Sequence, residues 1–313
     1  MGRRARIRDG RRGRDGMDRP IGIFDSGLGG LTVVRAVRRR LPAEPIVYFG
    51  DTARVPYGIK SPPTVTRFAA EACALLCRHD PKFLVAACNT ASATALPALA
   101  DRFDVPLCGV IEPGAEAAAR ASGGRPIGVI ATEATVASGA YRRAIQRRAP
   151  DAEVIQKACP LLVPIVEEGR TGADPIVRAV LAEYLQPLMR AGVGTVVLGC
   201  THYPLLADAV AACLGPEVRL IDSAEAVAER VAGRLAADGL LAPADGPRGA
   251  VRFFVSDNPD RFREVGGRFL GEAAEPVTLV PPEELTATRP DKPAGPRELA
   301  GTRAEPQAVE EAS

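Results

Sequence analysis

The sequence predicts an α/β protein of two open parallel-sheet domains facing each other across a cleft, and three observations predict it. Short apolar runs alternate with longer segments of helical periodicity, the pattern of parallel strands joined by helical crossovers. The spacing of the runs is irregular, which favours two open sheets over one closed barrel. Two of the runs, 112 positions apart, end alike: a small residue, a cysteine, then short polar residues, in Ala87-Cys88-Asn89-Thr90 and Gly199-Cys200-Thr201-His202. This faint internal repeat reads as two half-proteins in a pseudo-two-fold relation, each presenting a cysteine to a shared cleft.

The apolar runs in order are Ile21–Phe24, Ile46–Phe49, Phe83–Ala87, Leu107–Ile111, Ile127–Ala131, Val154–Ala158, Thr195–Leu198, Val218–Ile221 and Val251–Val255. Helical spacing marks Leu28–Leu41, Val65–Arg78, Thr135–Arg148, Asp174–Arg190 and Ala224–Asp238 between them. The expected first domain is 18–112 completed by 222–275, and the second is 113–221. Residues 1–17 are expected to be a disordered arm, because 1–16 hold seven Arg and two Asp and almost nothing apolar. Met17, just before the first strand, is an alternative start. Residues 281–313, rich in Pro and acidic side chains, are expected to be a disordered tail.

Composition narrows the function classes. The chain has 313 residues, 46% hydrophobic and 25% charged, enough for a sizeable core. Its net charge is +2, but the arm carries +5, so the remainder is −3. Nucleic acid is therefore not an expected partner, the basic arm being the single candidate. Aromatics are 4% with no Trp, which argues against a base-stacking surface. The longest uncharged stretches, Phe83–Ala100 and Ala191–Ala207, contain polar residues, and no signal-peptide core follows the arginines. Neither a membrane span nor a disulfide framework is expected from seven loosely spaced cysteines. A cytoplasmic protein with reduced thiols follows.

Open parallel sheets bind ligands beyond the carboxyl ends of their strands. Those ends read Asp25-Ser26-Gly27-Leu28-Gly29-Gly30, Gly50-Asp51-Thr52 with Pro56-Tyr57-Gly58, and the two cysteine motifs. A cysteine facing a helix N-terminus is expected to have a lowered pKa. Opposed across a cleft, a thiolate and a thiol make a base and an acid on two faces of one substrate, which suits inversion of a stereocentre. Cys73, Cys77, Cys108 and Cys213 read as packing residues, and Cys159 is open. No metal is expected, since His79 and His202 are far apart and no Cys-x-x-Cys occurs. The glycine turn lacks the third glycine of a dinucleotide fingerprint. Of four lysines only Lys60 lies near the polar strand ends, which disfavours a pyridoxal enzyme. Cys200 with His202 keeps a thiol hydrolase as an alternative.

Together with Gly109-Val110-Ile111-Glu112-Pro113-Gly114, these motifs resemble the bacterial glutamate racemases of the aspartate/glutamate racemase family, in order from about Pro20 to about Leu270. The resemblance implies racemisation of L- and D-glutamate without a cofactor, supplying D-glutamate for peptidoglycan, and a homodimer. Carried over by motif, Cys88 and Cys200 would act on opposite faces of Cα, assisted by Asp25 and His202. Substrate contacts would fall on Asp25, Ser26, Tyr57, Gly58, Asn89, Thr90, Thr201 and His202, with Asp51 and Glu167 in support. A racemase for aspartate or another amino acid, and a non-catalytic protein binding anionic partners through its arm, are the alternatives. The motifs depart from the family at Ser61-Pro62-Pro63, expected to stiffen a loop, and at Ala131-Thr132-Glu133-Ala134-Thr135, which lacks a glycine although Thr132 and Tyr141 remain.

Overall fold

A computed structural model describes residues 16–286. It contains two sheets, both wholly parallel. The first has six strands: β1 (Ile21–Asp25), β2 (Ile46–Gly50), β3 (Phe83–Ala86), β4 (Leu107–Gly109), β9 (Val251–Val255) and β10 (Val277–Leu279), in the order β10-β9-β2-β1-β3-β4. The second is β5 (Ile127–Ala131), β6 (Val154–Ala158), β7 (Thr195–Gly199) and β8 (Arg219–Asp222), in the order β6-β5-β7-β8. The order β2-β1-β3-β4 is thus repeated as β6-β5-β7-β8, and the register follows: Phe24 pairs with Ala86, and Ile130 with Leu198.

β1, β2, β3, β5 and β7 are buried along their whole length. Helices cover both faces of a parallel sheet, so its strands are continuously apolar rather than alternating. All nine expected strands form, while β10 is additional. Its Val277-Thr278-Leu279 is too short and too exposed to carry a buried-strand pattern; it forms by pairing along β9. Leu107–Ile111 stops early, because Ile111 opens a helix, Ile111–Ala121.

The helical segments are trimmed at recognisable caps. Asp174 and Asp222 accept N–H bonds from Ile176 and Ala224, both 2.8 Å, at the heads of Pro175–Arg190 and Ser223–Ala237. The expected helix over 135–148 is two helices, Glu133–Ser138 and Ala140–Gln146, because Gly139 takes a left-handed conformation with φ 63°. Ser61-Pro62-Pro63 does not interrupt the chain. It starts helix Pro62–Cys77, where a proline's missing N–H costs nothing. The expected tail from 281 is also corrected: Pro282–Thr286 is a helix, and Leu285 is buried against the first sheet's core. The remainder of that tail, and arm residues 1–15, lie outside the described residues.

Helix Ser223–Ala237 joins the two halves. It packs on Leu31–Arg40 of the first and on Ile111–Ala121 of the second, burying Val227, Ala228, Val231 and Leu235. Arg40–Glu229, at 2.7 Å, and Arg39–Glu225 pair along its rim. At the opposite, amino-terminal end of the first sheet, Lys82 is fully buried. Its Nζ donates to the carbonyls of Met17, 2.6 Å, and Leu240, 2.8 Å, and lies 2.5 Å from Glu44 Oε2. Glu44 also accepts the Ala242 N–H at 2.8 Å. Met17, assigned to the arm, is therefore held by the body. Lys82→Met should destabilise by ~3–5 kcal/mol, since it strands a buried carboxylate. Urea denaturation would measure this, and Glu44→Gln added to Lys82→Met should recover part of the loss.

Candidate active site

In each sheet the chain leaves its first strand to one side and returns on the other, so the crevice opens at β1/β3 and at β5/β7. These strand ends carry the polar motifs. They meet at a cavity of about 120 Å³, far below the ~300–1,000 Å³ typical of drug-sized ligand sites. Ser26, Tyr57, Gly58, Cys88, Asn89 and Thr90 line it from the first half, and Thr132, Cys200, Thr201 and His202 from the second. Val55, Ile59, Val163 and Pro164 supply apolar walls, and Glu133 an exposed rim.

Cys88 caps helix Asn89–Thr94: its Sγ accepts the Ala91 N–H at 3.5 Å and lies 3.6 Å from Ser26 Oγ. The expectation of a lowered thiol fails here. Burial, and then the Asp25 carboxylate, push Cys88 up to about 12 against the helix amides and Ser26. Asp25 itself does not line the cavity; it is fully buried behind it. Burial raises its carboxyl, opposed by the His202 charge and by N–H groups of Gly27, Gly30 and Ser26. Oδ2 accepts the Gly27 N–H at 2.9 Å, while buried Oδ1 has no hydrogen-bond partner among the described residues.

The second cysteine has a different setting. Cys200 Sγ is 3.9 Å from His202 Nδ1, and His202 Nε2 is 3.0 Å from Glu167 Oε1. An ionised Glu167 fixes the proton on Nε2, leaving Nδ1 to exchange a proton with the thiol. Burial works against an imidazolium, but Cys200 and Glu167 outweigh it and raise His202 to about 10. The hydrogen bond from His202 in turn lowers Glu167. The adjacent Glu168 pairs with Arg170 at 2.9 Å instead.

The two motifs touch directly. A Cβ on Gly29 would lie 2.1 Å from Thr201 Oγ1 and 2.6 Å from His202 Nδ1, so only glycine allows this approach. Thr90 Oγ1 meets Thr132 Oγ1 at 2.9 Å across the cleft. Asp51 lies outside the cavity and organises its wall. It accepts from Ser256 Oγ at 2.8 Å, Arg54 Nε at 2.8 Å and the Tyr57 hydroxyl. Burial, then Asp51, push the Tyr57 phenol well above its ordinary value. Among the described residues no three His, Cys, Asp or Glu side chains gather as a metal site, and no lysine lines the cavity.

An Asp/Glu/hydantoin racemase model matches residues 29–231. A glutamate racemase of Geobacter metallireducens is 52% identical over 251 residues, spanning 80% of this chain and 92% of that protein. The chain belongs to the Asp/Glu/hydantoin racemase family. One of Neisseria meningitidis serogroup A is 48% identical over 266 residues, 85% of this chain and 97% of the relative. Among solved structures, Thermus thermophilus glutamate racemase in complex with β-chloro-D-alanine has 49% identity and a TM-score of 0.77, covering 85% of this chain and 98% of that one. Francisella tularensis glutamate racemase in complex with D-glutamate has 38% identity and a TM-score of 0.78, covering 84% and 97%.

Of the residues this racemase-family sequence singles out, nine line the cavity, and Asp25, Asp51 and Glu167 stand behind it. Thr132 and Glu133 were not among the candidates, although a strand end followed by Thr is the equivalent, in the second half, of Asp25-Ser26 in the first. The apolar walls carry no sequence signal, because they come from loops and from a short helix, Leu162–Glu167.

Glu167→Gln should lose stability in a pH-dependent way. A raised imidazole stabilises the fold fully below its unfolded value of ~6.5, and the contribution is lost as pH rises through about 10. A lowered carboxyl contributes above its unfolded value of ~4.3 and is lost as pH falls through its depressed folded value. Urea denaturation at a series of pH values should show the widest gap between parent and variant from ~4.3 to ~6.5, narrowing toward pH 10.

Proposed function

We propose that this racemase interconverts L- and D-glutamate without a cofactor, moving a proton on and off Cα between Cys88 and Cys200. The observation that carries the reading is the placement of two cysteines at equivalent strand ends of two sheets, both opening on one small cavity. The relatives' names, and the D-glutamate bound to the Francisella tularensis enzyme, support glutamate as the substrate. Aspartate is the runner-up within the same chemistry.

In the proposed reaction one thiolate takes the Cα proton, and the opposite thiol donates its own to the other face. The first cysteine ends as thiol and the second as thiolate. The resting site is asymmetric. Cys88 is held as a thiol by burial and by Asp25, whereas Cys200 has the His202 imidazole, backed by Glu167, 3.9 Å away. For one enantiomer Cys200 is the base and Cys88 the acid, and the roles exchange for the other. Asp25 assists at Cys88 and His202 at Cys200. No pyridoxal ring spreads the carbanion, so the two transfers run nearly together, with fixed donors around the substrate carboxylates. Ser26, Asn89, Thr90 and Thr201 supply such donors from the cavity wall. The proposal extends to D-glutamate supply for peptidoglycan and to a cytoplasmic homodimer.

Purified protein with L- or D-glutamate and a chelator, without pyridoxal phosphate, should bring the optical signal from either side to zero, and aspartate should remain unchanged. Failure with both glutamates by folded, reduced protein would reject the reading, and turnover of aspartate alone would transfer it to the runner-up. Cys88→Ala and Cys200→Ala should each lower racemisation by ~10²–10⁴. Steady turnover at the parent rate in both variants would overturn the two-thiol mechanism.

A further inference from the structure

Tyr141 belongs to helix Ala140–Gln146 of the second half, yet it reaches both cysteine motifs. Its hydroxyl is 2.7 Å from Asn89 Oδ1, beside Cys88 in the first half. Its ring is fully buried and passes Gly199, the residue before Cys200, where a Cβ would come within 3.1 Å of Tyr141 Cε2. On the other side, a Cβ on Gly114 would lie 3.4 Å from both Cε1 and the hydroxyl. Two glycines therefore make the slot that holds the ring.

A carboxamide can turn over, exchanging its oxygen and nitrogen, and only its hydrogen bonds decide which faces a ligand. Asn89 lines the cavity; its Oδ1 is engaged by Tyr141, and its buried Nδ2 has no hydrogen-bond partner among the described residues. Burial pushes the Tyr141 phenol up, so it keeps its proton and can donate. Turning the amide over would present a carbonyl oxygen to the cavity and set its NH2 against the phenol, which would then have to exchange the 2.7 Å bond to Asn89 for donation to Ser223, its other side-chain partner.

We propose that Tyr141 is a positioning residue, locking the Asn89 carboxamide so that its NH2 group faces the cavity and receives a carboxylate of the substrate. This rests on the glutamate reading. The bond also spans the two halves of the protein, so the donor is correctly aimed only when both cysteine motifs are in register.

Tyr141→Phe removes the hydroxyl and keeps the ring that the glycine slot requires. It should melt close to the parent, raise KM for both glutamate enantiomers ~10-fold and change kcat less than ~3-fold, the signature of lost binding rather than lost chemistry. In an Asn89→Ala background the same substitution should add nothing further. Asn89→Asp, which can still accept from Tyr141 but offers no NH2, should raise KM at least as much. An unchanged KM in Tyr141→Phe, or full additivity with Asn89→Ala, would overturn the positioning role. Parent protein that does not racemise glutamate would instead reject the functional reading on which it rests.

Discussion

Every feature of the cleft depends on one constraint: parallel strands joined by helical crossovers bring all their carboxyl ends to the same edge of a sheet. Each sheet here reverses its direction of growth after the second strand, separating the connections at β1/β3 and at β5/β7. The chain between these strand ends has no paired neighbour to follow, so its side chains are free to face a ligand. Cys88 and Cys200 follow β3 and β7, the strands that return across the switch. Opposing two such edges yields one cavity with a cysteine from either side.

The equivalence stops at the electrostatics. Cys88 caps a helix yet sits in a buried site beside a carboxylate, and desolvation outweighs the helix amides. Cys200 has an imidazole within 3.9 Å, itself tied to Glu167. The same backbone arrangement thus sets its two cysteines in different surroundings, one beside a carboxylate and one beside an imidazole. His202 is the one cationic side chain among the lining residues described.

Behind the wall lies a second layer that holds the first in place. Asp51 gathers Ser256, Arg54 and Tyr57, fixing the loop that closes one side. Thr32 Oγ1 reaches the Thr201 carbonyl at 3.2 Å, tying the first half's opening helix to the second cysteine motif. Tyr141 ties the second half to Asn89. These cross-cleft bonds, with helix Ser223–Ala237, set the separation of the two edges.

Much of this was legible in the sequence. Strands such as Ile21–Phe24 and Thr195–Leu198 are continuous apolar runs, and the polar residues after them, Ser26, Cys88, Asn89, Cys200 and His202, could be read as ligand-facing because strand ends in parallel sheets are functional positions. Tertiary structure alone decided the remainder. Asp25 reads as a cleft residue but is sealed behind it, because burial depends on what packs over a turn, not on the turn's own sequence. The direction of the Cys88 shift was missed because dielectric and neighbouring charge are properties of the assembled site, whereas the helix dipole is a property of the local chain. β10 and the helix Pro282–Thr286 exist because β9 and the first core offer them partners. Tyr141 and Asn89, 52 residues apart, meet only once both sheets have folded. Sequence determined which elements form and which end of each carries chemistry, since both are local. Which groups desolvate, pair and aim at one another was decided by contacts between distant segments.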